Sequence, residues 1–298
     1  MTPKLKRIAC LLSLTTLAVS FTCSAQEVSA PPHEGINVGG MSGFRKLVPA
    51  EALEQQAAQQ YEQLKQDAAK QQALAPDNHP QTIRLRSIAN KIIPFALPWN
   101  ERAPQWQWEI NLIGSKQVNA FCMPGGKIAF YSGILTQLKL TDDEIAMVMG
   151  HEIAHALREH ARERNGKGTA LNLGANLVSQ LFGLGNLGNA VLGQGAQLWM
   201  LKFSREDESE ADSVGLDIAA RAGYDPRAAL VLWQKMSANN KGAPPQWMST
   251  HPSDESRMNE IRAHLPEVLP LYAKAVGKNV NNLPEYKSNV RLTDNTTQ

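Results

Sequence analysis

The sequence predicts an α+β fold, mainly helical, with one small β-sheet beside a helix that carries "MGHEIAHALREH", Met149 to His160. Three observations predict it. Several long stretches have helix-forming composition and helical spacing. Two short segments, "WQWEINLI" and "KIAFY", have the bulky residues of strands. The histidine-bearing stretch has a helical pattern and is apolar around its polar cluster. The chain has 298 residues, room for a sizeable core in one large domain or two small ones. A net charge of +2 implies no strong pull toward nucleic acid.

The chain opens with Lys4, Lys6 and Arg7 ahead of the apolar "IACLLSLTTLAVSF", and "CSA" ends at Ala25. This predicts a cleaved signal peptide over residues 1–25. An uncleaved anchor is the alternative, and "SFTC" is a poor lipidation site for Cys23. Cys10 and Cys23 fall in that segment, which leaves Cys122 without an internal disulfide partner. Residues 26–48, rich in Pro and Gly, are expected to form a flexible leader. The folded domain is expected over 49–276, with a disordered polar tail at 277–298.

Within the domain, "PAEALEQQAAQQYEQLKQDAAKQQA" from Pro49 predicts a solvated helix with one thin apolar stripe. "QTIRLRSIANKIIPFA" predicts a second helix. "WQWEINLI" (Trp106 to Ile113) alternates as a half-buried strand does. In "VNAFCMPGGKIAFYSGIL" (Val118 to Leu135) the "PGG" marks a turn before the next strand. Thr141 or Asp142 can cap the histidine helix, which is expected to run to about Arg164. Residues 168–201 carry no charge, yet their glycines leave no apolar run near the roughly 18 residues of a membrane span. A helical hairpin or mobile apolar flap is expected there, with peripheral membrane contact as the alternative. Charged "SREDESEAD" (Ser204 to Asp212), then "YDPRAALVLWQKMSA" and "HPSDESRMNEIRAHL", predict the remaining helices.

On a helix, residues i and i+4 share a face with Cβ atoms about 6 Å apart. His151 and His155 can therefore offer neutral imidazole nitrogens to one ion. Glu152 lies about 100° round the helix, beside the ion rather than on it. A carboxylate there can take a proton from water activated by zinc. A polar helix face carries this pattern by chance, but apolar Ile145, Val148, Met149, Ile153 and Ala154 surround it, and buried histidines need a partner. His160 falls roughly opposite His151 and is expected at the surface. Arg158 and Ala161 exclude the variant in which a downstream histidine is the third ligand. Among the acidic residues after Ser204, Glu208 and Asp212 share a face. Glu208 can bind metal while Asp212 accepts a hydrogen bond from a liganding histidine. Glu206 and Glu210 have the same spacing and are expected on an exposed face.

Four stretches in order, "NAFCMPGGKIAFYSGIL", "GHEIAH", "SREDESEAD" and "HPSDESR", resemble the zinc metallopeptidases of the CAAX prenyl protease, HtpX and BepA type. The resemblance implies a zincin-like core and one Zn2+ per chain held by His151, His155 and Glu208. It implies Glu152 as general base and Asp212 behind the ligands. It also places His251 and Arg257 near the metal, to stabilise an oxyanion or, for His251, to fill the open zinc position. The strand around Asn119, Ala120, Phe121 and Cys122 would hold an extended polypeptide substrate by main-chain hydrogen bonds. Periplasmic protein quality control is the implied setting. A zinc-stabilised chaperone that rarely cuts, and a closed structural metal site with His251 as fourth ligand, are the competing expectations.

Overall fold

The computed structural model describes residues 34–172, 202–239, 245–252 and 255–290. The expected signal peptide and most of the uncharged 168–201 stretch lie outside the described residues. Helix α1 (Ala50–Lys70) starts at Pro49 and buries Leu53, Ala57, Tyr61, Leu64 and Ala68, the thin stripe its sequence predicts. Helix α2 spans Pro80–Ala96. Strands β1 (Glu109–Ile113), β2 (Ala120–Met123) and β3 (Lys127–Tyr131) form one sheet in the order β1-β3-β2. β1 is parallel to β3 and β2 is antiparallel to it, with Ala120 opposite Phe130 and Cys122 opposite Ile128. The β2–β3 turn needs glycine at 125 and 126, where φ is 81° and 76°.

β1 is buried on both faces, against the expectation of a half-buried strand. Ile110, Leu112, Ile128 and Phe130 enter the main core. Ile113, Phe121, Ala129 and Tyr131 face α1 in a second cluster. The polar residue that suggested a wet face, Asn111, is buried and donates to the Tyr61 hydroxyl at 3.2 Å. Tyr61 in turn donates to the Ile128 carbonyl.

After α3 (Ser132–Gln137) comes α4 (Asp142–Leu157), the histidine helix. Thr141 and Glu144 form a capping box at its start, and every residue from Glu144 to Leu157 is buried. Buried Glu144 pairs with Lys235 at 2.6 Å. The helix does not run to Arg164. It ends at Leu157, Glu159 takes a left-handed conformation at φ 57°, and α5 begins anew at His160 and runs to Asn172. Helices α6 (Arg205–Arg221), α7 (Ala228–Ala238), α8 (Gln246–Thr250) and α9 (Glu255–Ala275) complete the domain.

The described parts of the two terminal segments, residues 34–48 and 277–290, make specific contacts with the domain. In the leader, Ile36 is buried and donates its N–H to Asp217 at 3.1 Å, while Arg45 pairs with Glu159 at 2.7 Å. In the tail, the Tyr286 hydroxyl lies 3.1 Å from that of Thr141, and Asn289 accepts from Lys235 at 2.6 Å. Polar partners hold these segments together with a few isolated apolar contacts, Ile36, Val38 and Tyr286, so no apolar periodicity announces them. No helix among the described residues is long and apolar enough to cross a membrane.

Candidate active site

The site forms where α4 crosses α6. A Cβ on Gly150 would lie 2.7 Å from the Gly215 carbonyl oxygen, and one on Gly215 would lie 2.7 Å from the His151 nitrogen. The two backbones therefore touch, and the first turns of α6 reach the histidines. Ser204 and Asp207 form a capping box that starts α6, and three acidic residues in its first turn suit the positive end of the helix dipole.

Four side chains converge there. Ligating atoms of His151, His155, Glu208 and His251 all lie within 4.8 Å of one another, and all four residues are buried. The Nε2 atoms of His151 and His155 are 3.0 Å apart. Glu208 places Oε2 3.5 Å from the first and Oε1 3.6 Å from the second. Its Oε2 is buried without an aligned hydrogen-bond donor, although Arg257 Nη1 lies 2.7 Å away in an ion pair. Converging imidazole lone pairs and a buried carboxylate are costly unless a cation is shared among them. This donor set of nitrogen and carboxylate oxygen fits zinc.

Electrostatics agree with that fit. Burial opposes charge on His151, but hydrogen bonds to Asp212 and Glu208 push its pKa up to about 9. Burial, with the charge of His151, drives His155 the other way, well below the ordinary histidine value. Burial would raise Glu208, yet the charge of His251 and the His151 hydrogen bond hold it far below the usual carboxylate range. Without metal the cluster thus gathers a proton at its centre.

Asp212 stands behind His151, with Oδ1 2.9 Å from Nδ1. Arg257 grips Asp212 with two donors, Nε to Oδ2 and Nη2 to Oδ1, both at 2.8 Å, and also donates to the Pro252 carbonyl. Its guanidinium stacks over Trp233 and is turned to these anchors rather than to an open face. The resemblance implies an oxyanion donor at this position; in the structure Arg257 contacts Asp212 and Glu208.

His160 is not at the surface. It is 1% exposed, with Nδ1 2.9 Å from His155 Nδ1 and Nε2 2.8 Å from Glu210 Oε2. The expectation assumed a continuous helix, and the break at Glu159 swings the side chain back toward the ligands. Glu210 is likewise not a free face residue, since it also accepts from Arg158 at 2.6 Å. Glu206 is exposed, as expected.

Glu152 sits beside the four-residue cluster and not within it. Its Oε1 accepts from Trp247 Nε1 at 2.6 Å and lies 3.4 Å from His251 Nε2. A narrow cleft lined by Phe121, Cys122, Pro124, Glu152, His155 and Phe203 separates it from β2. The Tyr131 N–H donates to the Asn119 carbonyl. Antiparallel alternation then turns the main chain of Ala120 and Cys122 to the outer edge. The Asn119 side chain is buried and accepts from the Ala120 N–H at 3.0 Å. Cys122 is half-buried, and burial pushes its thiol pKa up, so it stays neutral. Phe203 stacks on His155 with ring centres 3.9 Å apart. Trp247, Phe203, His160 and Glu210 escaped the sequence reading. Only the "WMSTHP" context links Trp247 to His251, and nothing local marks the other three.

A short buried histidine helix crossed by a carboxylate-bearing helix, with a base and an edge strand alongside, defines a zincin-type metallopeptidase domain. Residues 81–265 match peptidase family M48, and the chain belongs to that family. It is similar to the mitochondrial metalloendopeptidase OMA1 of Schizosaccharomyces pombe, with 34% identity over 197 residues, 65% of this chain and 56% of that protein. It is also similar to the metalloprotease LoiP of Escherichia coli K12, with 30% identity over 195 residues, 63% of this chain and 72% of that protein. The β-barrel assembly-enhancing protease of Yersinia pestis is 27% identical over 62% of this chain and 39% of that protein. The chain thus spans little more than half the length of the fission-yeast relative.

Proposed function

We propose that the protein is a zinc endopeptidase that cuts extended or unfolded polypeptides. The observation that carries this is the convergence of His151, His155, Glu208 and His251, with Glu152 beside them and outside the ligand set. His151, His155 and Glu208 would hold zinc, which would supply a Lewis acid and lower the pKa of water toward about 7. Glu152, oriented by Trp247, takes a proton from the attacking water. It then passes that proton to the amide nitrogen as the C–N bond breaks, and the new carboxylic acid gives up its own proton to the amine, leaving a carboxylate and an ammonium. Asp212, itself held by Arg257, fixes the tautomer of His151. β2 aligns the substrate through the outward main chain of Ala120 and Cys122.

The setting we propose is export through residues 1–25 and protein quality control in a bacterial envelope. The basic, apolar N-terminal sequence supports it, as do relatives named as a metalloprotease and a β-barrel assembly-enhancing protease. The mitochondrial relatives share the domain in another compartment. The uncharged 168–201 stretch is proposed as a point of peripheral membrane contact. The test is hydrolysis of an unfolded protein by the wild type and by Glu152→Gln, with zinc measured on both. Abolished cleavage with zinc retained is expected; comparable cleavage by the variant would sink the mechanism.

One observation favours a second reading, that of a self-inhibited enzyme. His251 Nδ1 lies 3.0 Å from Glu208 Oε1 and 3.2 Å from His151 Nε2, while its other nitrogen faces Glu152. A histidine so placed would occupy a fourth ligand place on a bound zinc and engage Glu152 at the same time. As an oxyanion donor instead, His251 would matter only in the transition state, so His251→Ala would lower kcat by about 10²–10³. Higher turnover in that variant on a quenched peptide decides for self-inhibition.

A further inference from the structure

We propose that His160, anchored by Glu210, is the positioning residue that delivers the lone pair of His155 to the metal. This rests on the metal site of the function proposed above. A histidine that ligates through Nε2 carries its remaining proton on Nδ1, and that proton needs an acceptor. For His151 the acceptor is Asp212. For His155 the structure offers His160 Nδ1, 2.9 Å away, with both rings buried. His160 can accept there only as the tautomer protonated at Nε2. Glu210 Oε2 is 2.8 Å from that nitrogen and, as a carboxylate, only accepts.

The proton placements then run in one direction. Glu210 accepts from His160 Nε2–H, His160 Nδ1 accepts from His155 Nδ1–H, and His155 Nε2 is left bare toward His151 Nε2 and Glu208. Arg158 completes the anchor by donating to Glu210 Oε1 at 2.6 Å. Phe203 stacks on His155 with ring centres 3.9 Å apart, which fixes that imidazole, and the His160 ring stands at 76° to it. The two liganding histidines are thus served differently, one by a carboxylate directly and the other by a carboxylate acting through an imidazole.

The rival is a purely structural role, in which His160 and Glu210 only tie α5 to α6. The variants separate the two. Leu at 160 fills space and accepts nothing. Asn at 160 puts an amide oxygen near the position of Nδ1 and can accept. In the full chain, zinc affinity is measured by competition with a chromophoric chelator, alongside the absorption spectrum of the Co2+-loaded protein and the melting of the metal-free protein. His160→Leu should weaken zinc by about 10–100-fold and shift the Co2+ bands. His160→Asn should recover most of that loss. Glu210→Ala, at a partly exposed position, should weaken zinc in the same direction and serves if the Leu variant does not fold. A His160→Leu chain that melts lower without metal yet binds zinc as tightly as wild type would overturn the proposal, as would an Asn variant no better than Leu. A wild type that binds no zinc would remove the metal site itself, and this inference with it.

Discussion

The indole Nε1–H of Trp247 donates to Glu152 Oε1 at 2.6 Å, joining α8 to the middle of α4 across 95 positions of sequence. Both residues are buried, so the carboxylate has a fixed direction before any substrate arrives. A hydrogen bond to a charged group contributes about 1.5–3 kcal/mol. Trp247→Phe is therefore expected to lower kcat by about 10–100-fold, with zinc content unchanged. Steady-state kinetics and metal analysis check this. Full activity in the variant would mean that Glu152 needs no such orientation.

The ligand assignment separates neighbouring acids on α6. Glu208→Ala should lose most of the zinc, and Glu206→Ala, whose side chain is exposed, should keep it. Asp212→Ala should weaken affinity by about 10–100-fold, and Arg257→Lys should move it the same way, since an ammonium cannot make the paired contact. Equal loss across all four variants would point to misfolding of the helix and undo the assignment.

The helix crossing gives a test far from any ligand atom. Gly215→Ala places a methyl 2.7 Å from the His151 backbone nitrogen, which the two helices relieve only by moving apart. Overpacking of this kind costs about 1–3 kcal/mol. Zinc affinity is expected to fall along with the melting temperature. A variant that melts lower but binds zinc normally would show that the ligands do not depend on this spacing.

Metal-free protein should respond to pH in a definite sense. His151 rises on folding from 6.5 to about 9. A group raised in this way stabilises the fold fully below its unfolded pKa and loses that contribution as pH climbs through the folded value. The melting temperature of the metal-free chain is thus expected to decline between pH 6.5 and about 9. Glu208 and Asp212 are depressed, so their contribution is lost only toward acid. Zinc replaces the central proton, so the loaded chain should not show the alkaline decline. Parallel calorimetry of both forms makes the comparison; identical profiles would contradict the raised His151.

Much of the fold was readable because periodicity is local. The α1 stripe, the "PGG" turn, the cap at Thr141 and the i, i+4 histidines each lie within a few residues, and the structure has them all. What escaped depends on contacts remote in sequence. The sheet is buried on both faces because α1 returns to cover it, which no strand pattern records. His160 was misplaced because Glu159 adopts a left-handed conformation without glycine or proline to announce it. Trp247 and Phe203 looked like ordinary core residues, and only their approach to Glu152 and His155 distinguishes them.

In the function proposed above, the four-residue β2 edge would meet a client through peptide groups, which every polypeptide shares. Such an edge has little means of telling one sequence from another. Cleavage there would track how often a client exposes a stretch of open chain when opening and closing are fast relative to cutting. The client's own folding equilibrium would then do the selecting. A well-folded protein escapes because its strands are already paired, and a mutation that loosens it by about 1.4 kcal/mol would raise its rate of destruction roughly tenfold with no change in the enzyme.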